Sequence, residues 1–198
     1  MGLFSKKVDG KKLSELFQAC AFNNMYKVQY IISSDKNLIN AQSEIGVTAL
    51  MAAAHGENEI VELLLKEGAN ANLKDKNGGT ALMIASYEGH MEIVDMLLKA
   101  GARPDTKKDG DTALFYAVVK QNNDIVDLLL KSGANPNIRY NDGSTALFLA
   151  VHDGNMAITE ALLRSGANPN IRDKYNTTIL SRAKNGDIAD LLKIYGAK

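Results

Sequence analysis

The sequence predicts an all-α solenoid, a row of stacked helix–turn–helix units each followed by a β-hairpin-like finger. Three observations carry that prediction. The triplet Thr-Ala-Leu begins at Thr48, Thr80, Thr112 and Thr145, with Thr-Ile-Leu at Thr178, at spacings of 32, 32, 33 and 33 residues. Gly-Ala runs in phase with it at Gly68, Gly101, Gly133, Gly166 and Gly196. Acid-to-base pairs four residues apart recur once per period: Glu62–Lys66, Asp95–Lys99, Asp127–Lys131 and Glu160–Arg164. Two markers with one period mean a chain that builds its core by stacking copies, and such chains recognise partners along the stacked surface.

Each element follows from the residues of one copy. In the copy from Thr80, the threonine hydroxyl can accept from a free backbone N–H of the first helical turn. Leu82, Met83 and Ala85 give that helix one apolar face, and Gly89 can take the left-handed conformation that closes it. A helix of two turns is marginal alone and needs packing. The second helix buries Ile93, Val94, Met96, Leu97 and Leu98 and closes at Gly101. Pro104, Asp109 and Gly110 then mark an extended turn that leads to the next threonine.

The other copies keep this plan with local departures. The copy from Thr48 is one residue short before Ile60-Val61. The finger after the Thr80 copy is one residue short. Gln121 stands where other copies have Gly, so its turn is expected to be strained or differently shaped. The last copy is three residues short before Ile188. The region before Thr48 reads as a divergent first copy, with Ser14 as N-cap, Leu16, Phe17 and Ala19 on the first helix, and Val28, Ile31 and Ile32 on the second. Asn40 falls in register with Asn72, Asp105, Asn137 and Asn170. The expected organisation is a flexible leader over 1–13 and one repeat domain over 14–198, with units at 14–47, 48–79, 80–111, 112–144, 145–177 and 178–198.

Composition narrows the function. Lys plus Arg and Asp plus Glu are 23 each, so the net charge is zero, and broad nucleic-acid binding, which needs a basic surplus, is not expected. No stretch has the length of a membrane span and Met1–Gly10 has no signal-peptide core, so a cytoplasmic protein is expected, with secretion by another route left open. Lone Cys20 cannot form an internal disulfide and reads as a core residue. Gly2 sits in a partial myristoylation signal that fails at Lys6. Leu3, Phe4, Lys6, Lys7, Lys11 and Lys12 leave weak contact with an anionic membrane as an alternative. His55, His90 and His152 lack the partners a zinc site needs. No phosphate loop is present, and nothing places a catalytic triad. Catalysis, metal and cofactor are therefore not expected.

Two periodic charge features remain. The i,i+4 pairs place the acid N-terminal, the favourable order, and mark a solvated outer face. Lys74, Lys107, Arg139 and Arg172 form a basic column along the fingers. It reads either as a groove for an acidic or phosphate-bearing partner or as solvated positions, and Asp75, Asp142 and Asp173 nearby favour the second reading.

The unit resembles the ankyrin repeat, through T-A-L-M at Thr48 and Thr80, T-A-L-F at Thr112 and Thr145, and T-I-L-S at Thr178. Gly-Ala-Asn at Gly68, Gly133 and Gly166 and Glu-Ile-Val at Glu59 and Glu92 match as well. The family's His after Leu is replaced by Met51, Met83, Phe115, Phe148 and Ser181, so apolar packing replaces a hydrogen-bond network in four of the five. The resemblance implies binding of one or more protein partners, as adaptor or inhibitor, by a monomer, through finger tips and the exposed side of the first helices. Carried over by position, the surface comprises Ile45, Val47, Lys76, Asn77, Lys108, Asp111, Tyr140, Asn141, Ser144, Lys174 and Tyr175 on the fingers. On the helices it comprises His55, Tyr87, Glu88, Val119, Lys120, His152 and Asp153. Tyrosines at such positions either anchor an interface or pack on a neighbour. A membrane-tethered scaffold and an enzyme using the concave groove are the alternatives.

Overall fold

The computed structural model describes residues 9–184 and 186–198. It divides into two compact units, 1–102 and 103–198, each a block of helix pairs. The first unit holds α1 (Gly10–Ala21), α2 (Met25–Ser34), α3 (Ala49–Ala53), α4 (Asn58–Lys66), α5 (Ala81–Glu88) and α6 (Met91–Lys99), with a 3-10 turn over Lys36–Asn40. The second holds α7 (Ala113–Val119), α8 (Asn123–Lys131), α9 (Ala146–Asp153), α10 (Met156–Arg164), α11 (Ile179–Arg182) and α12 (Gly186–Ile194). Among the described residues there is no strand, only isolated bridges at Lys108–Asp111 and Arg172–Thr178.

Each unit has two layers. In the first, α3 packs between α1 and α5, and α4 packs between α2 and α6. In the second, α9 packs between α7 and α11, and α10 between α8 and α12. The core lies between the layers. It is filled by Leu16, Leu50, Leu82, Val28, Val61 and Val94 in the first unit and by Leu114, Leu147, Ile125, Val126, Ile158 and Ile188 in the second, all essentially without solvent contact. Burying each such side chain contributes about 1.5–3 kcal/mol, which is how helices of one or two turns persist. Met96 and Leu98, expected in the core, are half-buried, because they sit at the edges of the α6 contact stripe.

The threonines cap as the pattern predicts. Thr48, Thr80, Thr112 and Thr178 accept from the backbone N–H of Met51, Met83, Phe115 and Ser181. Thr145 makes no side-chain cap bond. Gly89 closes α5 at φ 87°, and Gln121 is forced to φ 54° after α7, the strained turn foreseen. The first repeat corrects one expectation: its N-cap is Asp9, whose carboxylate accepts from the Lys11 and Lys12 N–H groups, and Ser14 lies inside the helix. Residues 9–13 of the expected leader are therefore the cap and first turn of α1. The rest of that leader, with Gly2 and the membrane-contact residues Leu3, Phe4, Lys6 and Lys7, lies outside the described residues.

A polar side chain at one register position ties neighbouring repeats within each unit. Asn40 donates to the Gly68 carbonyl (3.1 Å) and accepts from Asn70 N–H (2.7 Å). Asn137 does the same with Gly166 and Asn168 (2.9 and 2.7 Å), and Asn170 with Gly196 and Lys198 (2.9 and 3.0 Å). Asp105 accepts from Asn135 N–H (2.9 Å) but, as a carboxylate, has nothing to donate. Two of the four helix ion pairs close, Asp95–Lys99 and Glu160–Arg164. On exposed ground they add little.

Candidate protein-binding surface

The fingers are short reversals closed by backbone and side chain together. Ser43 N–H reaches the Val47 carbonyl (2.9 Å), Asp75 the Gly79 carbonyl (2.9 Å), Tyr140 the Ser144 carbonyl (2.9 Å) and Asp173 the Thr177 carbonyl (3.3 Å). Asp75 accepts from the N–H groups of Asn77 and Gly79, and Asp173 from those of Tyr175 and Thr177. The finger one residue shorter, Lys108 to Asp111, closes with two reciprocal bonds. Its central residues Asp109 and Gly110 take φ 51° and 96°, the twist a two-residue hairpin requires.

Adjacent fingers are joined directly. In the first unit Lys76 N–H donates to the Ile45 carbonyl (3.0 Å), and Gln42 spans the Gly46 and Lys74 carbonyls (2.7 and 2.8 Å). A Cβ on Gly46, at φ 84°, would stand 2.8 Å from Asp75 Cα, so only glycine permits that approach. In the second unit Lys174 N–H donates to the Asp142 carbonyl, Asn141 donates to the Asp109 carbonyl, and the Arg139 guanidinium bridges the Gly143 and Arg172 carbonyls (3.0 and 2.9 Å). Arg172 likewise reaches the Asn176 carbonyl (2.9 Å). Half of the basic column is thus finger structure. Gln42, in register with Lys74, is the sequence signal for it: an uncharged donor serves at the same place.

Of the residues predicted to face a partner, the first unit displays Lys76 and Asn77 on one finger tip and Tyr87 and Glu88 at the end of α5. Tyr87 is 44% exposed. Glu88 pairs with His55 Nδ1 (3.2 Å) on the preceding repeat. His90 Nε2 lies 2.7 Å from the His55 carbonyl, fixing the α3–α4 turn. In the second unit Val119, Lys120, Asn141, His152, Asp153, Lys174 and Tyr175 are exposed, and Lys108 and Asp111 are half-buried. His152 pairs with Asp153 (3.0 Å). The Lys174 ammonium sits 5.1 Å from the centre of the Tyr175 ring, which is 72% exposed.

Tyr140 is corrected. Its ring is 7% exposed and meets Phe115 edge-on, with centroids 4.6 Å apart, so it has no face to offer a partner. Ser144 beside it is buried too. Tyr140 starts its finger where Ser43, Asp75 and Asp173 start theirs, and that position points inward. Phe115 stands where the family has its finger-linking histidine, so the Phe115–Tyr140 contact replaces the polar link with an aromatic one.

Electrostatics follow from these packings. Burial pushes the Tyr140 phenol up, aided by the Asp111 carboxylate. Asp111 is held above the usual carboxylate range by burial, then by Asp109 and Asp142, with Lys108 opposing. Asp173 lies below it: desolvation opposes the shift, and the Thr177 and Tyr175 N–H groups, the Thr177 hydroxyl and the Arg182 guanidinium outweigh it. A cleft of about 230 Å³ between finger and helices in this unit is lined by Asp142, Phe148, Leu149, His152, Asp173 and Arg182. Burial raises the Cys20 thiol to about 12, consistent with an inert core residue. Among the described residues no group of three or more His, Cys, Asp or Glu could hold a metal ion, and no helix is long and apolar enough to cross a membrane.

Sequence reasoning missed one surface. Phe22, Tyr26 and Tyr30 are 80%, 81% and 67% exposed. Tyr26 and Tyr30, four residues apart, share a stripe of α2 opposite Val28, Ile31 and Ile32, a spacing available in the sequence, and Phe22 stands at the C-cap of α1.

Comparison with known proteins bears on this geometry. The family described as ankyrin repeats in three copies matches residues 16–108 and 56–140, and the single ankyrin repeat matches 142–174. The crystal structure of an ankyrin repeat domain from Acinetobacter baumannii superposes with a TM-score of 0.85 at 34% identity, covering 92% of this chain and 98% of that one. Ankyrin repeat and SAM domain-containing protein 6 of Rattus norvegicus is 37% identical over 75 residues, which is 37% of this chain and 8% of that protein. The mitochondrial disaggregase of Homo sapiens is 39% identical over 70 residues, 35% of this chain and 10% of that protein. The chain thus spans about a tenth or less of the curated relatives it matches.

Proposed function

The chain belongs to the ankyrin repeat family, and on that premise we propose that it is a non-catalytic recognition module binding a protein partner through its finger tips and first helices. Ankyrin repeats are in general protein–protein interaction modules, and the observation that supports the placement is the display of Tyr87, Val119 and Tyr175 on the finger and first-helix side. The second helices α6 and α10 each carry a closed ion pair instead. Amphipathic rings at positions a purely solvated face would fill with Lys or Glu are the currency of interface hot spots. In each unit the inter-finger bonds hold that side in place before binding, which lowers the ordering cost of association.

The binding set comprises Lys76, Asn77, Tyr87 and Glu88 in the first unit, and Lys108, Asp111, Val119, Lys120, Asn141, His152, Asp153, Lys174 and Tyr175 in the second. Tyr140 supports it from beneath. The chain is read as a cytoplasmic adaptor or inhibitor organised as the six repeats laid out above. Affinity capture from the native host, comparing the wild type with Tyr87→Ala/Tyr175→Ala, tests the reading. A partner enriched by the wild type and lost by the folded variant supports it. A partner retained undiminished by the variant moves the site elsewhere.

A further inference from the structure

The cleft of the second unit lies on the finger and first-helix side. Two fingers wall it through Asp142, Ser144 and Asp173, and α9 and α11 through Leu149 and Arg182. Half-buried Leu149 and buried Phe148 supply its apolar lining. Its volume of about 230 Å³ falls below the roughly 300–1,000 Å³ of pockets that enclose a drug-sized molecule, and suits one long side chain.

The cations of the adjoining segments are already engaged. The Arg139 guanidinium bridges the Gly143 and Arg172 carbonyls, and Arg172 reaches the Asn176 carbonyl. The Lys174 ammonium lies over the Tyr175 ring. Arg182 stands 3.5 Å from Asp173, and His152 turns Nδ1 to Asp153. Asp142 is left over. Its Oδ1 accepts from the Ser144 N–H and hydroxyl (2.9 and 2.6 Å), both neutral donors, and among the described residues it makes no ion pair. Its charge reaches its neighbours: after burial and Asp109 it raises Asp111, and after burial and Asp111 it raises the Tyr140 phenol.

We propose that this cleft takes a lysine or arginine side chain of the protein partner, its stem along Leu149 and Phe148 and its cationic head at the unused oxygen of Asp142, with Asp173 as second acceptor. The inference rests on the binding side proposed above and adds the chemistry of what that side receives. Long cationic side chains lay their stems on apolar surface and keep the charge at a polar rim. Such complementarity selects partners more than it adds affinity. An acidic group would meet two carboxylates, with only Arg182, already shared with Asp173, to receive it. The feature is local to this finger. Three residues before the next threonine the other full-length fingers carry Ile45, Asn77 and Tyr175, and only this one carries an acid.

Titration of the isotope-labelled full chain with blocked Gly-Lys-Gly and Gly-Arg-Gly peptides, followed by amide chemical shifts, tests this. Gly-norleucine-Gly and Gly-Glu-Gly peptides are the controls. The basic peptides are expected to bind in the millimolar range and to move the amides of Asp142, Ser144, Leu149 and Asp173, with both controls weaker. Asp142→Asn keeps an acceptor for Ser144 and is expected to weaken their binding about fivefold, the upper end for a partly exposed ion pair. Arg182→Gln removes the competing cation and is expected to tighten it. Thermal melts confirm that both variants fold. No shift at these amides, equal binding of the norleucine peptide, or opposite signs in the two variants overturns the proposal, the last in favour of an anion site. The binding side fails separately. In affinity capture, a partner lost by Tyr87→Ala/Tyr175→Ala but held undiminished by Asp142→Asn overturns the cleft as that partner's contact and leaves the side standing. A partner held undiminished by the tyrosine variant sinks the side, and the peptide titration still decides the cleft.

Discussion

Asp105 stands at the one described repeat junction where the bridging side chain can accept but not donate, so Asp105→Asn should stabilise the second unit. At the equivalent places Asn137 and Asn170 each make two bonds, one accepted from a backbone N–H and one donated to the closing glycine's carbonyl at 2.9 Å. Asp105 keeps only the first. A hydrogen bond of this kind contributes about 0.5–1.5 kcal/mol net. The site is solvent-exposed and the existing bond is charge-assisted, so the gain belongs at the low end, about 0.5–1 kcal/mol. The mirror experiment is Asn137→Asp, which retains the bond from Asn168 and loses the one to Gly166, at a cost of about 1 kcal/mol. Asn137→Ala loses both, about 2 kcal/mol. Urea titrations followed by far-UV circular dichroism rank the variants. Exchange of the Asn168 amide proton separates the mechanisms, since it should accelerate in Asn137→Ala and stay protected in Asn137→Asp. If Asp105→Asn lowers stability, or Asn137→Asp costs as much as Asn137→Ala, the two-bond account of the junction is wrong.

Four further outcomes follow from named contacts. Gln121→Gly should stabilise by about 0.5–1 kcal/mol, because the φ of 54° costs a side chain about 1–2 kcal/mol and the freer unfolded glycine returns part of it; an unchanged urea midpoint would count against strain there. Gly133→Val should cost more than about 1 kcal/mol through the same left-handed geometry, φ 87°, since the space around that position is open and only the backbone resists. Tyr140→Ala should cost about 3–4 kcal/mol by removing a buried ring, whereas Tyr87→Ala and Tyr175→Ala should leave the melting temperature nearly unmoved. Asp111 binds its proton more tightly folded than unfolded, so its charge subtracts stability at neutral pH, and that penalty fades as pH falls through the folded value toward the unfolded one of about 3.9. Asp111→Asn should therefore stabilise at neutral pH and show no advantage in acid. Asp173, shifted downward, behaves oppositely: its contribution is present above its unfolded value and is lost as pH falls through the folded one.

The fold was legible because its determinants are local and repeated. A threonine hydroxyl before an apolar helix caps it at Thr48, Thr80, Thr112 and Thr178, and a Gly-Ala step follows the second helix in every copy but the first. What escaped reading depends on which way one side chain points at a departure from the pattern. Tyr140 and Tyr175 both look like finger tyrosines in sequence, but one starts its finger and turns under Phe115 while the other sits at the tip. Arg139 looks like a free cation until its guanidinium is seen against two finger carbonyls. Asp9 does not stand out as a cap in the sequence because Ser14 falls in register with the later threonines, whereas the first repeat begins its helix earlier than they do. Tyr26 and Tyr30 have helical spacing on α2, but spacing alone does not say that a ring at such a position stays exposed.

The side of the molecule that meets a partner is the central claim, and site-specific photo-crosslinking reports it directly. A photoreactive residue placed at Tyr87, at Tyr175 or at Glu62 on the outer side of α4 would be activated in host lysate, and the adducts compared by mass. The account predicts one common protein adduct from the Tyr87 and Tyr175 positions and none from Glu62. An adduct formed at Glu62 alone would contradict it and place recognition on the second helices.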